Sequence, residues 1–260
     1  MNIPRTTILI ANHNYKQYLA DAISSAMKQT YPLVQVCIID DGSTDGSWEL
    51  INQIAFAQNE HKTSYAAEGI VIKQAIFGQR KIMAIKLPES KGPSYARNVG
   101  IELTLNETDF YLILDADDIA LPKKMEKFVE KFIEYDDVAV VYADYDILNV
   151  HTGNIIREYK YPYNRRHLNH ECIVHSNAGI RASALKEVKD PFGYYDVNMR
   201  TCEDYDLWIR LSEKYTISHI PEVLSLVRNH NNNSTLSVSN DIWNKNWSRI
   251  QEKIQMRSNV

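Results

Sequence analysis

No stretch of the 260-residue sequence approaches the ~20 consecutive apolar residues that a membrane-spanning helix needs. Met1–Arg5 runs straight into a β-branched segment without the apolar core of a secretory leader, so the expected location is cytoplasmic and at most peripheral to a membrane. Cysteine is scarce: Cys37, Cys172 and Cys202 are odd in number, far apart and without a CxxC pair, which argues against a disulfide framework or a zinc site and suits a reducing compartment. Excess positive charge is missing as well. With 29 basic against 33 acidic residues, a net charge of −4 and both signs mixed along the chain, no basic face advertises nucleic acid, and a small partner is expected. No GxGxxG follows the first apolar run, where Ala11-Asn12-His13-Asn14-Tyr15-Lys16 stands instead, and this argues against a dinucleotide oxidoreductase. Repeats and low-complexity tracts are lacking; Asn229–Asn233 comes nearest.

What the chain does have is carboxylate in unusual places. Asp115, Asp117 and Asp118 follow directly on the apolar run Phe110–Leu114. Three carboxylates in four residues repel one another at the mouth of a buried strand, and a divalent cation is the simplest relief. Mg²⁺ or Mn²⁺ suits oxygen ligands and fills its remaining positions with water and substrate phosphates, so a phosphate-bearing substrate is expected. A second acidic turn, Asp40–Asp45, ends the β-branched run Val34–Ile39. Both turns then lie at carboxyl ends of buried strands, the rim where open α/β sheets bind ligands.

The periodicity predicts strand 6–10, helix 18–28, strand 34–39 and helix 47–58, the start of a parallel sheet. Residues 59–68 read as loop, 70–72 and 82–87 as two strands of a hairpin, 93–105 as helix and 110–114 as strand. Helix 121–135 and strand 138–142 come next, then two short strands about the turn 151–154, an irregular aromatic stretch 159–174, helix 201–215, strands 217–220 and 223–227, and helix 241–256. With 44% hydrophobic residues the expectation is one α/β domain over 1–260: a nucleotide-facing half to about 118, a smaller mixed half to about 235, and a closing helix.

Taken one at a time the motifs have ordinary explanations. An Asp-Gly turn can simply cap the helix after it; Thr201 and Asp204 have capping-box spacing; Arg97 on a helix surface and His230 in an Asn-rich loop would by default be solvated. In combination they resemble glycosyltransferase family 2, the inverting enzymes of the GT-A fold. The resemblance is carried by Ala11–Asn14 with Leu19, Ile23 and Gln29-Thr30, by Ile38–Asp45, Lys91–Asn98 with Gly100, Leu114–Asp118, Glu203–Arg210 and Arg228–His230, over about residues 6–235.

That resemblance implies a GT-A-type nucleotide-binding mixed sheet flanked by helices, with a smaller acceptor-side region. It implies that Ala11 and His13 line the base pocket, that Asp41 accepts a hydrogen bond from the base, and that Arg97 approaches base or ribose. Asp115 would face the ribose, Asp117 the Mn²⁺ or Mg²⁺ ion, with Asp118 and His230 as further metal ligands, and Asp204 would be the catalytic base. Ala11 and His13 depart from the Pro or Thr and the Tyr usual in the family. The implied partners are a nucleoside-diphosphate sugar, UDP-linked in expectation, and a glycan or lipid-linked saccharide, as in surface polysaccharide synthesis. Asp204 at a helix start is expected to be kept ionised by the helix dipole. Acceptor contacts are expected from Tyr161, Tyr163, His175, Asn177 and Tyr194. Two other classes stay open: a sugar nucleotidyltransferase, disfavoured by the missing glycine-rich basic loop, and a carbohydrate-binding module without catalysis.

Overall fold

The computed structural model describes residues 3–57, 60–66, 69–233 and 238–258. Its strands are β1 (Thr6–Asn12), β2 (Val34–Asp40), β3 (His61–Tyr65), β4 (Val71–Phe77), β5 (Arg80–Lys86), β6 (Phe110–Asp115), β7 (Ile119–Ala120), β8 (Val138–Asn149), β9 (Ile155–Glu158), β10 (Gly179–Arg181) and β11 (Thr216–Asn229). Helices are α1 (Lys16–Met27), α2 (Ser47–Ala55), α3 (Pro93–Thr104), α4 (Lys124–Glu134), α5 (Arg165–Leu168), α6 (Ala182–Val188), α7 (Glu203–Ser212) and, labelled α8 here, Asn240–Ser258.

One sheet runs β3-β4-β5-β2-β1-β6-β10-β8-β11-β7, with β9 paired to β8. β5, β2, β1 and β6 are mutually parallel, whereas β10 is inserted antiparallel between β6 and β8. This is the expected mixed α/β sheet. β1 and β2 are apolar and β-branched because both faces are covered. On one face Leu19 and Ile23 of α1, Ile51 of α2 and Phe128 and Phe132 of α4 pack against the strands. On the other lie Ala96 and Ile101 of α3, Leu185 of α6, Trp208 and Leu211 of α7 and Ile250 of α8. Gly100 lets α3 approach closely, since a Cβ there would stand 2.5 Å from Leu9 and 2.7 Å from Ile39.

Several boundaries differ from the sequence reading. The stretch read as loop at 59–68 contains β3, a wholly exposed strand added to the predicted hairpin, so its polarity reflects the sheet edge. Strands 217–220 and 223–227 are one strand, β11, with register shifts on either side of Val223; Pro221 cannot donate to the ladder, which gives the break its sequence signature. β10 and α6 escaped detection, as three strand residues and seven helical ones carry too little period. Helix α7 begins at Glu203 rather than Thr201, and no side chain caps it. Thr201 instead accepts from Asn246 Nδ2 of α8 at 2.8 Å, and Cys202 before the helix is left-handed at φ 59°.

Candidate active site

The register places the two acidic turns side by side. Ala11 pairs with Ile39 of β2 and with Asp115 of β6, and Asn12 pairs with Asp40, so both turns leave the same rim of the parallel sheet, on either side of β1. Asn12 Nδ2 donates to Asp40 Oδ1 at 3.0 Å and to Ser43 Oγ at 3.1 Å, and Asn14 Oδ1 accepts from the Thr44 amide at 2.8 Å. Asp45 accepts from the Lys16 amide and from both the amide and hydroxyl of Ser47, which explains a carboxyl held below its usual range despite partial burial. Asp45 thus takes the first amides of α1 and α2, which leaves Asp41 for something else.

Asp41 is buried and pins a loop. Its carboxylate accepts from Ser90 Oγ at 2.9 Å and from the amides of Lys91 at 2.9 Å and Gly92 at 2.8 Å. Gly42 makes this possible: at φ +60° it lies where a Cβ would sit 2.5 Å from the Glu89 and Ser90 backbone. Beside it, exposed His13 is held through Nδ1 to the Asp41 carbonyl at 2.6 Å, and Ala11 at the strand end is half-buried. Residues 11, 13 and 41 are thus gathered with the 90–92 loop at one end of the rim.

Asp115 stands at the centre. Its Oδ1 accepts from Arg97 at 2.9 Å and its Oδ2 from Ser176 at 2.7 Å. Burial opposes its charge, but Arg97 and Ser176 overcome that and hold the carboxyl below its usual range. Arg97 is no solvated surface group: it is 7% exposed and its other guanidinium nitrogen donates to Glu203 Oε1 at 2.6 Å. Burial opposes its charge, and Asp115 and Glu203 more than offset that. One side chain on α3 therefore joins the acidic turn after β6 to the first residue of α7.

The three remaining candidates for the cation are not equivalent. Asp118 spends both oxygens inside the protein, accepting from the Arg228 amide at 2.9 Å and from Asn177 Nδ2 at 2.6 Å. Asp117 Oδ2 accepts from His230 Nε2 at 3.0 Å and Asn233 Nδ2 at 3.2 Å, while its Oδ1 has no side-chain partner among the described residues. His230 is buried, stacked on Tyr18 with 4.5 Å between ring centroids. Its Nδ1 accepts from the Asn232 amide, so Nε2 carries the proton that Asp117 receives. Burial and the charge of Asp115 raise the Asp117 carboxyl, and burial with Asp117 and Asp115 raises Asp118 further. Buried Lys124, held to Ser225 and facing Asp118, is pushed down to about 7 by burial. Among the described residues no three His, Cys, Asp or Glu side chains form a ready-made cage. The fit to a hard cation rests on Asp117: an oxygen without a side-chain partner among the described residues, in a self-repelling carboxylate cluster, which is what an ion completed by phosphates and water requires.

Asp204 faces this centre from the start of α7. It makes no salt bridge among the described residues; its Oδ1 accepts only the Tyr205 amide at 2.7 Å. The expectation that the helix dipole keeps it ionised is corrected here. Burial and the adjacent Glu203 outweigh the dipole and push its carboxyl up to about 7. The neighbouring acids are committed elsewhere, Glu203 to Arg97 and wholly buried Asp206 to Arg210 and Lys253.

Sequence reasoning missed the braces. Ser176 and Asn177 hold Asp115 and Asp118, and Asn177 Oδ1 also accepts from the Asp115 amide at 2.9 Å. Asn177 therefore shapes the acidic turn. Tyr194 is buried, and its carbonyl accepts from Arg210, so it packs the interior. His175 packs on Tyr145 and is pushed down to about 4 by burial, while Tyr161 is exposed and Tyr163 half-buried. Nothing in the spacing of 175–177 signals a partnership with residues some 60 positions earlier.

Comparison with known proteins identifies the fold and the family. An uncharacterized glycosyltransferase of Haemophilus influenzae is 29% identical over 60% of this chain, which spans 53% of that protein's length. The Escherichia coli UDP-Glc:alpha-D-GlcNAc-diphosphoundecaprenol beta-1,3-glucosyltransferase WfaP is 27% identical over 80% of this chain and 70% of its own. Among solved structures, Staphylococcus aureus TarS 1–349 in complex with UDP-GlcNAc superposes with a TM-score of 0.66 at 15% identity, covering 90% of this chain and 61% of that one. The mannosyltransferase PcManGT of Pyrobaculum calidifontis in complex with GDP-Man and Mn²⁺ gives 0.59 at 14%, covering 86% and 57%. These two likenesses establish the GT-A fold. Residues 7–189 match the family description Glycosyl transferase family 2, and with that span matched the chain belongs to glycosyl transferase family 2, a family of glycosyltransferase enzymes.

Proposed function

We propose that this chain transfers a sugar from a nucleoside-diphosphate donor, UDP-linked in our reading, to a hydroxyl of a glycan or lipid-linked saccharide, with inversion at the anomeric carbon. One observation carries the proposal: Asp204, unpaired and pushed up to about 7, stands one Arg97–Glu203 bridge away from a carboxylate turn with an oxygen left for a cation. A group with that pKa accepts a proton near neutral pH and is worth roughly 10²–10⁴-fold in rate as a positioned base. WfaP is named for UDP-Glc and TarS was solved in complex with UDP-GlcNAc, against GDP-Man in PcManGT, and we take the first two as favouring uridine.

In this reading Ala11, His13 and the loop pinned by Asp41 wall the base, and Asp115, fixed by Arg97, meets the ribose. Mn²⁺ or Mg²⁺ held through Asp117, with His230 against the same carboxylate, would offset the charge left on the departing diphosphate. Asp118, with both oxygens engaged, keeps the turn in shape. Asp204 takes the acceptor hydroxyl's proton as that oxygen attacks the anomeric carbon from the face opposite the diphosphate. No proton donor to the leaving group is needed, so a single carboxylate base suffices. The place of action we assign is the cytoplasmic side, with any membrane contact made through the acceptor; among the described residues no helix is long and apolar enough to cross a bilayer.

The test is donor turnover with Mn²⁺ and water as acceptor, followed by proton NMR of the released sugar. Inversion requires that UDP-α-glucose or UDP-α-N-acetylglucosamine first release the β-anomer together with UDP. Release of pyrophosphate from UTP and a sugar 1-phosphate would establish the nucleotidyltransferase instead.

A further inference from the structure

Beside the candidate active site, a cavity of about 520 Å³ opens between the segment after β9 and the outer stretch of β11. Its wall contains a hydrogen-bonded pair unrelated to the acidic rim. His219 Nε2 donates to Asp144 Oδ1 at 2.8 Å, and the two side chains are 8% and 5% exposed. The same carboxylate oxygen accepts from the Lys160 amide at 2.9 Å, so Asp144 fixes both the histidine tautomer and the backbone of the covering segment. Tyr142, whose hydroxyl donates to the Tyr161 carbonyl, stacks under the His219 ring at 4.9 Å between centroids. The result is a rigid wall in a place where packing alone would call for an aliphatic pair.

Two polar groups on this wall are left unused. His219 Nδ1 has no partner among the described residues, and with Nε2 protonated it is an acceptor. Lys160 Nζ has neither a hydrogen bond nor an ion pair among the described residues; it lies 6.0 Å from the Tyr145 ring centroid. The rest of the lining is ring and aliphatic surface from Tyr159, Tyr163, Pro162 and Ile217. A free acceptor and, on the lining residue Lys160, a free donor, set among apolar faces, match a ligand whose hydroxyls both give and take hydrogen bonds around patches of C–H. That is the chemistry of a carbohydrate.

We propose that this cavity is a saccharide subsite, read by His219 and Lys160 and floored by tyrosine. Its occupant is the sugar unit of the acceptor that lies beyond the one receiving the transferred glycosyl group; this identity rests on the transferase reading. Lys160 supplies the continuity: it lines the cavity while its Nζ lies by the Tyr145 ring, which packs on His175, the neighbour of the Ser176 and Asn177 that hold Asp115 and Asp118. An acceptor chain running from the acidic rim into the cavity would pass Lys160.

The experiment uses the full chain without donor or metal, with cellobiose, lactose and N,N′-diacetylchitobiose as probes in saturation-transfer NMR. At least one should bind with an affinity on the order of 1 mM. Exposed Tyr159→Ala and Lys160→Met each remove part of the lining and should weaken that binding ~10-fold or more, with UDP affinity in the presence of Mn²⁺ unchanged. No binding by the parent, or binding that survives these substitutions, overturns the subsite. A parent chain that binds disaccharide but not UDP would overturn the transferase reading and leave the cavity result standing.

Discussion

Asp204 and Asp117 do opposite things with the same chemistry. For Asp204 the folded-state pKa lies above the ordinary carboxylate value, at about 7, so ionising it costs free energy in the native state only. This group therefore favours the fold at low pH, and that contribution is lost as pH rises through 7. Asp204→Asn is accordingly expected to raise the melting temperature at pH 8 by a few degrees, at about 2–4 °C per kcal/mol for a chain of this size. Turnover should fall ~10²–10⁴-fold with donor affinity intact, because the proton is accepted only in the transition state. Parent turnover should climb with pH through about 7, read as an acidic limb in the kcat profile. Asp117 and Asp118 divide differently. Asp117→Asn should weaken diphosphate binding and its Mn²⁺ dependence, read by calorimetry. Asn177→Ala, which leaves Asp118 without its Asn177 partner, should cost ~1–3 kcal/mol of stability, read by denaturant titration. The residue types and spacing of the acidic motif were legible from the sequence. The division of labour inside it was not, because it depends on Ser176, Asn177, Arg228 and Asn233, which the fold alone brings to the turn.

At the scale of elements, the site is assembled by strand ends and held by a few long-range polar ties. β1 carries little of the chemistry yet fixes the distance between the two acidic turns through its register with β2 and β6. Arg97 then locks α3 to α7 across the rim. Arg97→Met is expected to leave Asp115 and Glu203 buried without their cation and to cost ~3–5 kcal/mol, measured as a lowered denaturation midpoint. Strands with sustained β-branched runs and helices with a clear apolar face were readable, which covers most of the α/β order through α4. The reading failed where tertiary context decides: β3 is a strand only because β4 offers an edge, and β10 exists because a gap between β6 and β8 needs filling. The capping-box spacing at Thr201 misled for a similar reason, since Asn246 of the last helix claims the threonine.

The whole molecule is tied shut at its far end by charge. Lys253 of α8 reaches Asp190 at 3.0 Å, Asp196 at 3.2 Å and Asp206 at 2.9 Å, and the latter two carboxylates are fully buried. This joins the C-terminal helix to α7, and so to the element that presents Asp204. The sequence places these residues on separate elements and offers no sign of the network. The central claim is that the acidic rim forms a nucleoside-diphosphate site completed by a divalent cation held through Asp117. Calorimetric titration of UDP into the parent chain and into Asp117→Asn, each with and without Mn²⁺, tests it directly. The account predicts binding by the parent that strengthens at least ~10-fold with Mn²⁺, and an Asp117→Asn chain that melts no lower than the parent and has lost this enhancement. UDP binding indifferent to Mn²⁺ in the parent, or an enhancement retained in Asp117→Asn, would contradict it.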